Sequence, residues 1–329
     1  MRRQRSGASG DCRGKYRFVV RRVLIAACIV YFLAFTTNEN HHVQHIAVRE
    51  EEFVTGERVQ ALCDVFILSR DFVQSFPKML LYGKLIVYVG EPLDQGTRHI
   101  IKHSQVFFSK VEWIHFFKTI VLPEIYLDFI LVTHNSDSIG GNDTELLQTK
   151  LLKTWFGQNM LPGPKTQGIP IGLENTMWGR TRFELIGHYR ASEKRRLAYF
   201  KFNSYSNEEK RRQARLSLLR NGFKENESKE WPEYIRELST HRFCFCPVGN
   251  GPDTHRMWEA LYLGVTPIVI KTPELHTWFK HANILWISDF AEITPKYLHA
   301  IHSKPQGIPE IATMSWLENQ IARHLLLKT

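Results

Sequence analysis

Short apolar runs alternate with helix-like segments along most of the 329-residue chain. The runs are four to six residues long and nearly continuous in apolar side chains, which is typical of strands buried on both faces of a parallel sheet. Helices must then cover both faces of each sheet, so the predicted fold class is α/β. The predicted strands are 64–69, 85–89, 105–108, 128–133, 168–171, 197–202, 242–246, 265–270 and 284–287.

The alternation is interrupted once, by a basic, loop-like stretch at 178–196, and it starts again at Leu197. A chain of this length suits two domains, or one large one. Because the pattern restarts, we predict two parallel-sheet domains, one over 61–190 and one over 191–329. The predicted helices span 110–122, 145–156, 206–220, 232–239, 254–263, 273–279, 296–302 and 315–327.

The amino terminus is first basic and then apolar. Residues 1–22 carry seven of the ten net positive charges, and Val23–Phe35 is an uninterrupted apolar run. The run fits a cleaved signal peptide, a buried core helix, or an uncleaved signal anchor over 18–37 whose Arg21 and Arg22 reach the headgroups. We predict the anchor, because no good small-residue cleavage site follows the run. The charge before it predicts a cytoplasmic tail over 1–22 and a lumenal remainder, as in a single-pass type II protein of the Golgi or ER membrane.

Other features of the chain fit a lumenal location. Residues 38–60 are polar and lack periodicity, which predicts a stem between membrane and domain. Asn142 and Asn226 each begin an N-glycosylation sequon. Outside the tail the net charge is only +3, which argues against a nucleic-acid partner. The sequence leaves open whether the chain forms a homodimer.

One segment has the features of an anion site. Residues 247–254 form a loop with Gly249 and Gly251 between a predicted strand and a predicted helix. Glycines let a ligand approach the backbone, and the first N–H groups of a helix favour an anion such as a diphosphate. Arg256 and Glu259 share one face of that helix, where an arginine suits phosphate oxygens and a glutamate suits ribose hydroxyls. The alternative is a surface ion pair between these two side chains.

Glu259 is followed by Ala-Leu-Tyr-Leu-Gly-Val-Thr-Pro-Ile-Val over residues 260–269. With the loop and Arg256 before it, this stretch resembles the nucleotide-sugar signature of exostosin-like glycosyltransferases, in particular their small relatives with one catalytic module. The resemblance extends more weakly over about 125–290. It implies a GT-B architecture, in which two Rossmann-like domains face each other across a cleft. The weaker stretches are 133–137, 155–159, 169–175 and 199–203.

The resemblance implies that the C-terminal domain binds a nucleotide-sugar donor, with UDP as the expected nucleotide. It implies that Glu259 binds the ribose and that Arg256 binds the diphosphate. The alternative to a donor-binding role for Arg211 is a solvated charge on the surface of its helix. Three residues, Cys244, Cys246 and Pro252, depart from the family pattern. The full predicted donor-binding set is Gly249, Asn250, Gly251, Asp253, Thr254, His255, Arg256, Glu259, Asn203 and Arg211.

Metal-dependent glycosyltransferases hold Mn²⁺ or Mg²⁺ with an Asp-x-Asp motif, which does not occur in this chain. The sequence therefore predicts no metal and no other cofactor. The leaving diphosphate would then be stabilised by the loop amides and by His255 and Arg256, to which Asn203 and Arg211 are the predicted additions.

Transfer with inversion needs a base that removes the proton of the acceptor hydroxyl. Ligands gather at the carboxyl ends of parallel strands, and His134 and Asp137 directly follow the predicted strand 128–133. We predict one of them as the base, with Asp137 preferred; the alternative is that this segment only makes turn hydrogen bonds. Asn159 and Glu174 are the predicted acceptor contacts.

Together these features predict a membrane-anchored, metal-independent and inverting glycosyltransferase. It would move a sugar from a nucleotide sugar to a glycan or glycoprotein acceptor. The alternative is a catalytically inactive lumenal protein of the same fold that serves as a binding scaffold.

Overall fold

The structure of the protein is a computed structural model, and all of its described residues belong to the unit Ala47–Thr329. The predicted cytoplasmic tail and anchor lie outside them. Within the described part, no helix is long and apolar enough to cross a bilayer. The described residues are 49–75, 84–179, 181–301 and 307–326.

Six parallel strands form the first sheet, in the order β2-β1-β3-β4-β5-β6. The chain order reverses between β1 and β3, a point where open sheets often bind ligands. The strands are β1 (Val65–Leu68), β2 (Leu85–Tyr88), β3 (Val106–Ser109), β4 (Phe129–Thr133), β5 (Leu152–Gly157) and β6 (Thr166–Gly168). The helices of this half of the chain are α1 (Gly56–Ala61), α2 (Arg70–Ser75), α3 (Gln95–Lys102), α4 (Ile114–Phe116), α5 (Thr144–Gln148) and α6 (Phe183–Tyr189).

Four parallel strands form the second sheet, and they lie side by side in strict chain order. The described second sheet therefore has no point of reversal. Its strands are β7 (Arg196–Tyr199), β8 (His241–Phe245), β9 (Thr266–Ile270) and β10 (Leu285–Ile287). The helices of this half are α7 (Glu208–Arg220), α8 (Trp231–Leu238), α9 (His255–Tyr262), α10 (Pro273–Phe279), α11 (Pro295–Ala300) and α12 (Met314–Leu326).

Both faces of each sheet are buried. In β8, Phe243 and Phe245 point into one apolar cluster, whereas Cys244, and Cys246 directly after the strand, belong to another that contains Trp258 of α9. Side chains alternate along a strand, so a continuous apolar run satisfies two helix layers at once. The predicted α/β class with parallel sheets is confirmed. Three buried cysteines, Cys63, Cys244 and Cys246, are free thiols.

One predicted helix, 145–156, is wrong in its second half. Asp143 accepts a hydrogen bond from the Leu146 backbone and caps α5, which ends at Gln148. The chain then enters β5, where Trp155 Nε1 donates to Thr133 Oγ1 of β4 at 2.9 Å. The β-branched and aromatic side chains of this segment favour a strand, and the neighbouring strand provides the pairing that decides it.

The other differences in the first half are smaller. The predicted helix 110–122 is a succession of tighter and wider helical turns that ends at Glu124. The predicted strand 168–171 lies a few residues earlier, as β6.

Several segments pack outside the domain to which the sequence assigns them. Part of the predicted stem packs into the fold, because Phe53 and Val54 are fully buried and α1 begins directly after them. Helix α6, placed before the predicted boundary at residue 190, packs against α8. Helix α12 returns to the first sheet, where Leu317 and Ile321 pack in the same apolar cluster as Phe156 of β5.

Candidate functional site

The loop 247–254 lies at the carboxyl end of β8 and leads into α9. The residue before the helix, Thr254, has extended backbone angles and its side chain caps no N–H group. At the other end of α9, Arg190 donates to the carbonyls of Leu261 and Tyr262, and Lys194 donates to that of Leu263 at 2.9 Å. Cations at the carboxyl end of a helix complement its dipole, so α9 is firmly held. Burial, and the charge of Arg190, lower the pKa of Lys194 to about 8.

Arg256 projects from the first turn of α9 and is partly buried. Its guanidinium donates to the carbonyl of Lys201, and its Cζ lies 5.3 Å from the centre of the Tyr234 ring. Burial opposes its charge, but the acidic groups nearby, Tyr234 foremost, hold the pKa of Arg256 above its ordinary value. The side chain is therefore charged at every accessible pH.

Arg211 of α7 is 9% exposed and is not a solvated helix charge. Its Nε donates to Val248 O at 2.9 Å, and its Nη1 donates to both Asn203 O at 3.1 Å and Asn203 Oδ1 at 2.5 Å. These bonds join α7 and the loop after β7 to the glycine loop. Burial, and then the charge of Arg256, lower the pKa of Arg211.

The two arginines repel each other across the glycine loop. Within the described part of the chain, neither Arg211 nor Arg256 forms an ion pair with a carboxylate, because their hydrogen bonds all go to carbonyl or amide oxygens. The charge of Glu259 acts on Arg256 without a direct ion pair, so two buried or half-buried cations against this one carboxylate leave a positive potential beside the loop. An anion with several oxygens is the ligand that this arrangement would stabilise.

Glu259 is 7% exposed and does not pair with Arg256. Its Oε1 accepts from Trp231 Nε1 at 2.9 Å, and its Oε2 accepts from Tyr234 OH at 2.8 Å. Both donors come from α8. Each carboxylate oxygen can accept two hydrogen bonds, so each retains the capacity for one more donor.

Asp253 ties the glycine loop to the first half of the chain. Its Oδ2 accepts from Ile171 N at 2.7 Å, and its Oδ1 accepts from Trp258 Nε1 at 2.8 Å. Its own N–H donates to Asn159 Oδ1 at 2.9 Å. Burial raises the pKa of Asp253 to about 7, and the N–H groups of Ile171, Trp258 and Thr254 oppose that rise. Asp253 and Asn159, which the sequence assigns to donor and acceptor binding, thus join the two halves.

Asp137 is exposed and lies beside the glycine loop, where its Oδ2 accepts from Asn250 Nδ2 at 3.2 Å. Its position is set by Glu112, whose Oε1 accepts from the hydroxyls of Ser136 and Ser138 at 2.7 Å each. Sequence reasoning missed Glu112 because it lies inside a segment predicted as an unremarkable helix.

His134 lies in a different environment from Asp137. The ring is 1% exposed, and its Nε2 lies 3.0 Å from Pro170 O. A carbonyl oxygen only accepts, so Nε2 carries the proton and donates it. Burial lowers the pKa of His134 to about 4, which keeps the ring neutral at physiological pH. This geometry favours a structural role for His134 and leaves Asp137 as the accessible member of the predicted pair.

The remaining predicted residues are distributed around this edge. His255 Nδ1 bonds to Gly172 O at 2.8 Å, in the loop that continues to the partly buried Glu174. Among the described residues, no group of three or more His, Cys, Asp or Glu side chains is arranged to hold a metal ion.

The two sequons differ in accessibility. Asn142 is exposed. Asn226 Oδ1 accepts from Phe200 N at 2.8 Å, and its Nδ2 donates to Glu237 Oε1 at 3.2 Å. At Asn226, the side-chain nitrogen that would carry a glycan is therefore engaged in a hydrogen bond.

Replacing Gly251 by alanine should loosen the contact between the two halves. An added Cβ would lie 2.7 Å from Asn159 Nδ2 and 2.9 Å from the Asp137 carbonyl oxygen, so backbone must move. We expect Gly251→Ala to lower the free energy of unfolding by about 1–3 kcal/mol in urea denaturation. Gly187→Ala in α6 is the control, since its Cβ would meet no atom within 4 Å. Equal stability of the two variants would contradict the described loop contact.

The buried Asp253 should make stability depend on pH. Its pKa is about 7 in the folded protein, against about 4 in an unfolded chain. The folded state therefore retains a proton that the unfolded state releases, and the stabilisation present below pH 4 is lost as pH rises through 7. We expect wild type to lose stability relative to Asp253→Asn over this interval, by at most about 1.4 kcal/mol per pH unit. Urea denaturation at pH 4.5 and 8 measures this difference, and parallel curves for the two proteins would contradict it.

No protein-family model and no curated protein matches the chain. The resemblance to exostosin-like glycosyltransferases therefore stays a prediction from the residues quoted for it.

Proposed function

We propose that this protein is a membrane-anchored glycosyltransferase of GT-B architecture that uses a nucleotide sugar, with UDP as the expected nucleotide. The observation that supports this most strongly is the pair of arginines, Arg211 and Arg256, beside the glycine loop without a carboxylate partner in the described chain. Glu259 offsets part of their charge, and a diphosphate would supply the rest. Glu259 lies one turn of α9 after Arg256, where two donors hold its carboxylate, and it would accept the ribose hydroxyls of the same ligand.

In the proposed reaction the diphosphate is the leaving group. Arg256 and the uncapped N–H groups at the start of α9 neutralise the charge that develops on it, so no metal is required of the mechanism. Glu259 accepts hydrogen bonds from the ribose hydroxyls and orients the donor. Asp137 removes the proton of the acceptor hydroxyl, which then attacks the anomeric carbon with inversion. The acceptor is a glycan or glycoprotein, and the enzyme works in the lumen of the Golgi or ER.

A second candidate is a catalytically inactive lumenal binding protein of the same fold. The state of the two predicted bases favours it: Asp137 is hydrogen-bonded to Asn250, and His134 is buried and neutral. Such a protein would still bind a nucleotide diphosphate, so only turnover separates the two candidates.

Hydrolysis or transfer from a panel of UDP- and GDP-sugars by the full-length protein, with EDTA present, tests the proposal. We expect turnover of one donor, and a loss of about a hundredfold or more in Arg256→Ala and Glu259→Ala. Arg212→Ala is the matched control, because Arg212 is the exposed neighbour of Arg211 and pairs only with Glu209 in the described chain.

The outcomes separate the alternatives. Turnover that requires Mn²⁺ would contradict the metal-free leaving group. Binding of UDP or GDP without turnover of any donor, tested with glycan acceptors present, would favour the inactive scaffold. An equal loss in Arg212→Ala and Arg256→Ala would show that the site lies elsewhere.

The proposed lumenal location predicts one N-linked glycan and not two. Asn142 is exposed, whereas the Asn226 amide is engaged with Phe200 and Glu237. In secretory cells Asn142→Gln should remove the mobility shift that an N-glycosidase causes, and Asn226→Gln should leave it unchanged. A shift that depends on Asn226, or no shift in the wild type, would contradict this prediction.

A further inference from the structure

Tyr234 of α8 contacts both of the charged residues that α9 presents. Its hydroxyl donates to Glu259 Oε2 at 2.8 Å, and its ring lies under the guanidinium of Arg256, with Cζ 5.3 Å from the ring centre. The two contacts use different parts of one side chain. A change that removes only the hydroxyl therefore affects Glu259 and leaves the ring under Arg256.

The phenol is fixed in its role as a donor. Tyr234 is 9% exposed, and its ring packs against that of Tyr199 with the ring centres 5.4 Å apart. Burial, and then the charge of Glu259, raise the pKa of Tyr234 well above its ordinary value. The hydroxyl therefore keeps its proton, and this proton points at the carboxylate.

Trp231 supplies the second donor, one helical turn before Tyr234. Residues three apart on a helix lie on the same face, so both side chains of α8 reach the same carboxylate. Trp231 Nε1 donates to Glu259 Oε1 at 2.9 Å, and the two donors thus bind different oxygens. Two fixed donors determine the rotation of the carboxylate plane, and they direct its free lone pairs away from α8.

We propose that Tyr234 and Trp231 are positioning residues for the donor nucleotide. The Tyr234 hydroxyl and the Trp231 indole N–H hold the Glu259 carboxylate in the orientation that accepts both hydroxyls of a ribose. The Tyr234 ring holds Arg256 in place for the diphosphate. This inference rests on the proposed function, and it adds the residues that set the preference for a ribose over a deoxyribose.

The test compares the affinities of UDP, 2′,3′-dideoxy-UDP and inorganic pyrophosphate for the full-length protein by titration calorimetry. The wild type should prefer UDP to its dideoxy analogue. Tyr234→Phe and Trp231→Phe should each reduce that preference by about threefold to tenfold, the value of one hydrogen bond, and leave the affinity for dideoxy-UDP within twofold. Tyr234→Phe should keep the affinity for pyrophosphate, whereas Tyr234→Leu should lower it.

Tyr262→Phe is the matched control. Tyr262 is a buried tyrosine of α9, one helical turn after Glu259, whose hydroxyl donates to Ala312 O at 2.8 Å and accepts from Val54 N at 3.2 Å. Its loss should lower thermal stability and leave the preference for UDP unchanged. A merely structural role of Tyr234 would give the same result as this control.

The outcomes distinguish this inference from the proposed function. A wild type that binds UDP with the expected preference, together with an unchanged preference in Tyr234→Phe, would overturn the inference alone. A wild type that binds neither UDP nor GDP would overturn the proposed function and the inference with it. If GDP is the bound nucleotide, the same comparison with dideoxy-GDP decides.

Discussion

The buried carboxylate of Asp253 is the contact on which the arrangement of the candidate site depends. It accepts hydrogen bonds from the Ile171 N–H in one half of the chain and from the Trp258 indole N–H in the other. The backbone N–H of Asp253 donates to Asn159. A carboxylate taken out of water costs free energy unless its oxygens are satisfied, so the loops that supply these donors must stay in place. The glycine loop, α9 and the segment around Asp137 are thereby held at one edge.

Electrostatics at that edge are unbalanced in a way that the rest of the fold does not require. Arg211 is satisfied by the oxygens of Asn203 and Val248, and Arg256 has the Lys201 carbonyl and the Tyr234 ring. Neither contact neutralises a charge. Placing two cations close together lowers stability in the absence of an anion, and this cost is recovered when one binds. The site therefore combines a rigid frame with a positive charge that Glu259 offsets only in part, which suits the binding of a diphosphate.

The sequence predicted the fold class well, because the apolar runs of strands such as β4 and β8 are continuous, which is typical of parallel sheets with both faces covered by helices. It failed at 145–156, where helical spacing continued into a segment that pairs as β5 with its neighbour. It also missed Glu112 and Tyr234. Nothing in the sequence near these two residues indicates a site, since each is brought to it by the packing of a separate helical segment.

By itself the sequence determined the glycine loop, the adjacent Arg256 and Glu259, and the alternation that makes an α/β fold, because these depend on neighbours within a few residues. Only the tertiary structure decided what each polar side chain does. Asn159 and Asp253 bind each other across 94 positions, and Glu259 turns toward α8 and not toward Arg256. The physical reason is that a buried polar group must find a partner, and that partner is set by which loops and helices the packed sheets bring together.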